Sequence, residues 1–207
     1  LLICIIQLNL TNIISAADMS YQISVEKEES TISECNITIS NKTKTIICSG
    51  PTNTETITLL NNNVISWKNY FTENTYFDAT IKDNDIILSG KNKGKDLNKT
   101  FKNQTLPWIQ SPSLLLHDFI LSDTKHIDFI MVTGPMLSNM QIIKEGKETL
   151  SIHNKTYESI KTKMSPPGWL GKLWKANIWY DSKTGNMIKY SAPVGPPGSK
   201  KMVMTLL

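Results

Sequence analysis

Along most of this chain apolar and polar residues alternate in short runs, and Asn, Asp, Gly and Pro break those runs at close intervals. A period of two is the mark of half-buried β-strands. The clearest case is CNITIS-NK-TKTIICSG at 35–50, which reads as two strands around a two-residue turn at Asn41-Lys42. Pairing outward from that turn sets Ser40 opposite Thr43, Thr38 opposite Thr45, Ile37 opposite Ile46 and Cys35 opposite Cys48. One face then carries Cys35, Ile37, Ile39, Ile46 and Cys48, with Lys44 as its polar member, while the other is mostly Asn, Thr and Ser. In that register Cys35 and Cys48 form a non-hydrogen-bonded pair, where opposite residues come closest, so a cross-strand disulfide is expected.

The same grammar continues. Strands are predicted over 54–60 and 64–71 around Asn61-Asn62-Asn63, and over 76–81 and 86–90 around a turn at Asp83-Asn84. That second turn gathers Phe77, Ala79, Ile81, Ile86 and Leu88 on one face. Further runs lie at 126–133, ended by Gly134-Pro135, and at 140–144 and 148–152 around a turn at Glu145-Gly146-Lys147. The remainder are 156–164, 176–181, 187–191 and 201–206. Residues 90–104 (GKNKGKDLNKTFKNQ) read as a long, lysine-rich solvated loop. Helix is scarce. Ser111-Pro112 offers an N-cap serine followed by proline at the first helical position, leading into SLLLHDFILSD. Residues 168–175 (GWLGKLWK) have the spacing of a two-turn amphipathic helix, with Trp169, Leu170, Leu173 and Trp174 facing one way. With turns recurring roughly every eight to twelve residues, the fold class is mainly β: a strongly curved antiparallel sheet, half-barrel or barrel, with one or two short helices.

Composition bounds this further. The chain has 207 residues, 40% of them hydrophobic, and a formal net charge of +4. Five Trp, five Phe and six Tyr argue against disorder. The basic residues are all Lys; without Arg the chain lacks the fork that usually reads phosphate or guanine, and no nucleic-acid partner is expected.

Residues 1–17 (LLICIIQLNLTNIISAA) are uncharged and end on Ser15-Ala16-Ala17, the small residues of a secretory cleavage site. The run falls short of the ~20 apolar residues that span a bilayer. The expected organisation is therefore a signal peptide over 1–17 and a single antiparallel β domain over 18–207, with no transmembrane segment in the mature chain. Cleavage would remove Cys4 and leave Cys35 and Cys48 as an even pair in an oxidising compartment.

Catalytic signatures are missing from the sequence. His117, His126 and His153 are scattered, with no metal-ligand or triad spacing. His126 and Asp128 lie two apart on a predicted strand and so face the same way. No phosphate-binding glycine loop is present. No catalysis, metal or cofactor is expected. The aromatics remain: Trp108 in Leu-Pro-Trp, and Trp169, Trp174 and Trp179 at five-residue intervals. These four are the candidate ligand-binding residues, as aromatics lining a curved sheet; the alternative is that they fill its core, the commoner fate of large aromatics.

Several of these segments resemble a known group. Ser66-Trp67, FDATIKDNDIILSG, LPWIQSPSLLLHDFILSD, the strand ending at Gly134-Pro135, and GWLGKLWKANIWYDSKTGNMIKYSAPVGPPGSKKMVMTL together span 54–206. They resemble exported bacterial proteins of unknown function, the YmcC-like and LolA/LolB-like families. The most specific parts are Leu-Pro-Trp-x-Gln at 106–110, the Trp-Tyr-Asp to Thr-Gly hairpin at 179–185, and Gly-Pro-Pro-Gly at 195–198. The resemblance implies a large curved sheet closing partly or wholly into a barrel, a short helix near its mouth, and a periplasmic or outer-membrane-associated location. The lipoprotein carriers of this shape hold acyl chains in an apolar cavity, so the expected function is a non-enzymatic cell-envelope protein whose partner is a lipid, another amphiphile or an envelope protein. The alternatives are an exported hydrolase or carbohydrate-acting enzyme, with His126 and Asp128 or other acids in a cleft, and a structural part of a larger assembly.

Overall fold

The computed structural model describes residues 13–102, 104–195 and 198–207. Among them the chain runs β1 (Ile13–Val25), β2 (Thr31–Ser40), β3 (Thr43–Ser49), β4 (Thr54–Leu60), β5 (Asn63–Thr72), β6 (Thr75–Lys82), β7 (Asp85–Asn92) and β8 (Lys95–Phe101). Two short helices follow, α1 (Pro112–Leu115) and α2 (His117–Leu121), then β9 (His126–Thr133), β10 (Met136–Ile152) and β11 (Lys155–Ser165). The chain closes with α3 (Leu170–Leu173), β12 (Ala176–Asp181), β13 (Met187–Pro193) and β14 (Lys201–Leu206).

All fourteen strands belong to one antiparallel sheet in the order β8-β7-β6-β5-β4-β3-β2-β1-β14-β13-β12-β11-β10-β9. Two meanders, β1–β8 and β9–β14, are thus joined side by side through β1 and β14, and β8 and β9 are left as the two edges. The sheet is open at that seam. The segment between β8 and β9 crosses it, and the Leu-Pro-Trp-Ile-Gln stretch lies parallel against β9. There Ile109 N–H donates to Ile130 O, and Ile130 N–H donates to Pro107 O, each at 3.0 Å. The Lys99 ammonium of β8 reaches Pro135 O at 2.9 Å from the other side of the seam.

Curvature brings the two halves of the sheet over a shared interior. Ile46, Ile57, Val64, Trp67, Phe77, Ala79, Ile86 and Leu88 from β3–β7 pack with Trp108, Ile130 and Val132. A second cluster joins Tyr21, Phe129, Met140, Ile142, Ile178 and Tyr180 to Leu116, Phe119 and Ile120 of the helical segment.

The predicted hairpin at 35–48 forms in the expected register, and Cys35 and Cys48 are bonded across it at a Cα separation of 4.1 Å. Its turn residue Asn41 adopts positive φ, as do Asn61 and Asn62, Asp83 and Asn84, and His153 and Asn154 at other hairpins. Asn and Asp tolerate this left-handed region better than other non-glycine residues.

Five expectations are corrected. Residues 90–104 are not a long loop: β7 continues to Asn92, a tight turn at Lys93-Gly94 with positive φ at both residues follows, and β8 is a true strand. Its lysines belong to an edge, where charge discourages pairing with other chains. Glu145-Gly146-Lys147 is not a turn. β10 passes straight through it, with a register shift between Lys144 and Gly146 that absorbs the extra residue as a bulge.

Third, the segment after Ser111-Pro112 is two short helices broken at Leu116, not one. Proline does stand at the first helical position, but Ser111 sits at φ 50° and makes no side-chain cap. Its hydroxyl donates instead to Glu55 Oε2 at 2.6 Å. Fourth, only residues 170–173 of GWLGKLWK are helical, a single turn in place of two. Fifth, residues 18–34, given no strand from the pattern, supply most of β1 and the start of β2. β1 begins at Ile13, inside the run read as a leader, whose residues 1–12 lie outside the described residues.

Candidate functional site

Alternation along β1 places Tyr21, Ile23 and Val25 on the concave face, and the β1–β14 register sets Ile23 beside Met204 and Val25 beside Met202. Across β1 the same face continues through Ser33 and Cys35 of β2 to Cys48 of β3. Leu114 of α1 comes in from above. These side chains wall a groove of about 520 Å³, within the size range of small-molecule sites. Its charged groups are Glu28 and Glu29, on the β1–β2 connection near the loop from Gly50 to Asn53, and Glu55 beside α1.

The direction in which the groove opens follows from the topology. In an antiparallel meander alternate connections share a rim. The β1–β2, β3–β4 and β13–β14 connections, which border the groove, lie on one rim. On the opposite rim α1 and α2 fill the space: Leu114, Leu115 and Asp118 stand beside Ile39, Leu59 and Asn62, and His117 lies against Gly185 of the β12–β13 turn. Tyr180 fixes α1 by donating to Pro112 O at 3.0 Å. The helices thus plug one end of the half-barrel and the groove opens at the other.

Electrostatically the wall is neutral and the mouth is charged. Glu28 pairs with Lys200 at 2.7 Å. Glu55 is committed inside the fold, accepting from Trp67 Nε1 at 2.7 Å and from the Ser111 hydroxyl. Burial pushes the hydroxyls of Tyr21 and Tyr190 up to about 12. Tyr180 is raised also, mainly by burial and further by its tyrosine neighbours.

A pH dependence follows. An unfolded tyrosine titrates near 10, so between about pH 10 and 12 the folded chain keeps protons that the unfolded chain releases. Stability is full below that window and falls through it, by about 1.4 kcal/mol for each of Tyr21 and Tyr190 at pH 11. Urea-unfolding midpoints followed upward from pH 8 should stay level to about pH 10 and then drop, and Tyr21→Phe should lessen the drop.

The four candidate tryptophans do not come together. Trp108 is buried in the interior at the seam, and its Nε1 donates to Gln110 Oε1 at 3.2 Å. Trp179 faces the convex side with Ile152 and Ile188. Its indole donates to Glu148 and lies under the ammonium groups of Lys161 and Lys189. Trp169 is exposed, and Trp174 is half-buried over a second hollow of about 560 Å³ beside Met131, Leu137 and Met140. None of the four lines the groove. His126 and Asp128 do face the same way, 3.2 Å apart, as an exposed pair.

The groove residues were missed although a signal for them exists. Met19, Tyr21, Ile23 and Val25 alternate with Ser20, Gln22 and Ser24, and Met202, Met204 and Leu206 repeat the pattern. Among the described residues no cluster of three or more His, Cys, Asp or Glu could hold a metal ion, and no helix is long and apolar enough to cross a membrane.

No family model matches the chain, and no curated protein matches it. Among solved structures the chain is similar to the hypothetical lipoprotein YmcC from Escherichia coli K12, with a TM-score of 0.42 and 15% sequence identity over 91% of this chain and 83% of that one.

Proposed function

We propose that this chain is an exported, non-enzymatic protein of the cell envelope that binds a lipid or other amphiphile in the concave groove between β1, β2, β14 and α1. The observation that carries this reading is the division of that groove into an apolar wall and a charged mouth at one open end. An acyl or similar tail would lie along Ile23, Met202, Met204 and Leu114, with its polar head among Glu28, Glu29 and Lys200. Burial of each tail methylene is worth roughly 0.8 kcal/mol, so about ten of them match the ~8 kcal/mol of micromolar binding before the cost of association.

Export is supported by the pattern of 1–17 and by the Cys35–Cys48 disulfide, a bond that persists in oxidising compartments. Cleavage after Ala17 would leave the β1–β14 ladder from Tyr21 to Val25 intact.

The test is binding of a fluorescent fatty acid in solution, together with native mass spectrometry of protein purified from the periplasm. The expected result is saturable binding and a co-purifying lipid. Met204→Trp, which fills the groove, and Ile23→Glu, which charges its wall, should each weaken binding by about tenfold or more. Binding unaltered in both variants, or no binding by the wild type, would overturn the reading.

A further inference from the structure

Apolar side chains are left in water on the loop that joins β11 to β12. Trp169 is 68% exposed, Leu170 45% and Leu173 46%. Surface Leu and Trp occur singly on most proteins, but three within five residues, on a loop held in a fixed shape, need a reason.

The loop is held at both ends. Trp174 is half-buried against the core and covers the hollow beside Met131 and Met140. Gly168 takes φ +67°, and at Gly171 a Cβ would stand 2.6 Å from Pro166 O, so the turn closes as tightly as glycine allows. The outward stance of Trp169 and Leu173 is therefore built into the turn, with Leu170 half-exposed at the edge of the hollow. Their rim is also the rim at which the groove opens: Met136, in the β9–β10 hairpin, and Val194, after β13, share it and are exposed as well.

Charge gives the second observation. Between Glu158 and Asp181 the sequence has no acidic residue and four lysines. Lys161 and Lys163 pair with Glu145. Lys172 and Lys175, which flank the apolar residues, have no acidic partner among the described residues. The acidic β1–β2 connection, with Glu26, Glu28 and Glu29, lies on the same rim but three strands along from β12. At the usual strand spacing that is about 14 Å, beyond the ~8 Å over which exposed charges act in physiological salt.

We propose that the 166–175 loop docks this protein on an anionic lipid surface, with Trp169, Leu170 and Leu173 seated in the interface and Lys172 and Lys175 against the headgroups. Tryptophan favours that position because its ring is apolar and its N–H finds partners among headgroups and water. A lipid surface suits the patch better than a folded partner does. The apolar contact consists of three side chains, whereas specific protein interfaces bury about 800 Å² per side. Docking would turn the open end of the groove toward the bilayer, but it does not require the groove to hold a ligand.

Sedimentation with vesicles tests it. Wild type should bind vesicles of phosphatidylethanolamine with phosphatidylglycerol, and less to phosphatidylcholine alone, with binding falling as salt rises. The triple variant Trp169→Ser, Leu170→Ser, Leu173→Ser should lose about tenfold or more of that partition. Lys172→Gln with Lys175→Gln should lose about fivefold per lysine on the anionic vesicles only. Brominated lipids should quench Trp169, since Trp67, Trp108 and Trp179 are buried. All these substitutions lie on the surface, and an unchanged melting temperature confirms that each variant is folded. Absence of wild-type binding, equal binding by the triple variant, or self-association through the loop in place of vesicle binding would overturn the proposal. Binding kept by Met204→Trp but lost by the loop variant separates docking from the groove.

Discussion

Replacing Gln110 by Leu is expected to destabilise the protein by about 4 kcal/mol, because three buried hydrogen bonds end on this one side chain. Its Oε1 accepts from Val132 N–H at 3.1 Å and from Trp108 Nε1, and its Nε2 donates to Val132 O at 3.0 Å. The chain runs beside β9 only as far as Ile109, then turns away at Ser111 toward α1. The amide of Gln110 replaces the peptide group that would otherwise have continued the ladder to Val132. Leucine fits the volume and supplies neither donor nor acceptor, leaving Val132 N–H, Val132 C=O and the Trp108 indole without partners in a dry place, at about 1–3 kcal/mol each. For a chain of this size the loss corresponds to a fall in melting temperature on the order of 10 °C. Gln110→Glu keeps the acceptor and loses the donor, so it should fall between the two. A leucine variant as stable as wild type would show that water takes over these bonds and that the seam is wet.

Removing the disulfide comes next in size. With a sequence separation of 13, breaking the Cys35–Cys48 bond should cost about 3 kcal/mol through the greater freedom of the unfolded chain. Urea-unfolding curves with and without reductant should differ by that amount in wild type and coincide in the Cys35→Ala, Cys48→Ala double variant. Both sulfurs belong to the groove wall, so the same variant should weaken amphiphile binding. Equal stability with and without reductant in wild type would mean that the hairpin turn alone holds the two strands.

Much of this fold was legible because much of it is local. A meander is a chain of hairpins, and each hairpin is set by the two residues at its tip and the alternation beside them. Asn41, Asp83-Asn84 and His153-Asn154 mark their turns through their tolerance of positive φ, and counting outward from Asn41-Lys42 was enough to pair Cys35 with Cys48. Where alternation is weak or a residue has two uses, local reading fails. β8 has mostly polar side chains because it is an edge, and its lysines looked like a loop. Gly146 looked like a turn residue, yet a bulge uses a glycine equally well when a neighbouring strand, here β11, pairs on through it.

The candidate site was the least legible part. Alternation along β12 turns Trp179 and Tyr180 to opposite faces of the sheet, but which face is the interior is set by the curvature of the whole sheet and not by the strand. Trp108 lies in the interior because the crossing segment lies against β9, a contact between parts of the chain joined by no turn. The groove needs β1 beside β14, the two ends of the described chain, and α1 on the far rim to close the other end.

By itself, then, the sequence determined the strand-rich class, most hairpins and their registers, the disulfide and the pattern read as a leader, all through interactions between residues near in sequence. Only the tertiary structure decided that the sheet stays open at the β8–β9 seam, that the tryptophans part company, and that Tyr21, Ile23, Met202 and Met204 share a groove. Those outcomes depend on how curvature and bulges add up over fourteen strands, a sum that no single strand carries.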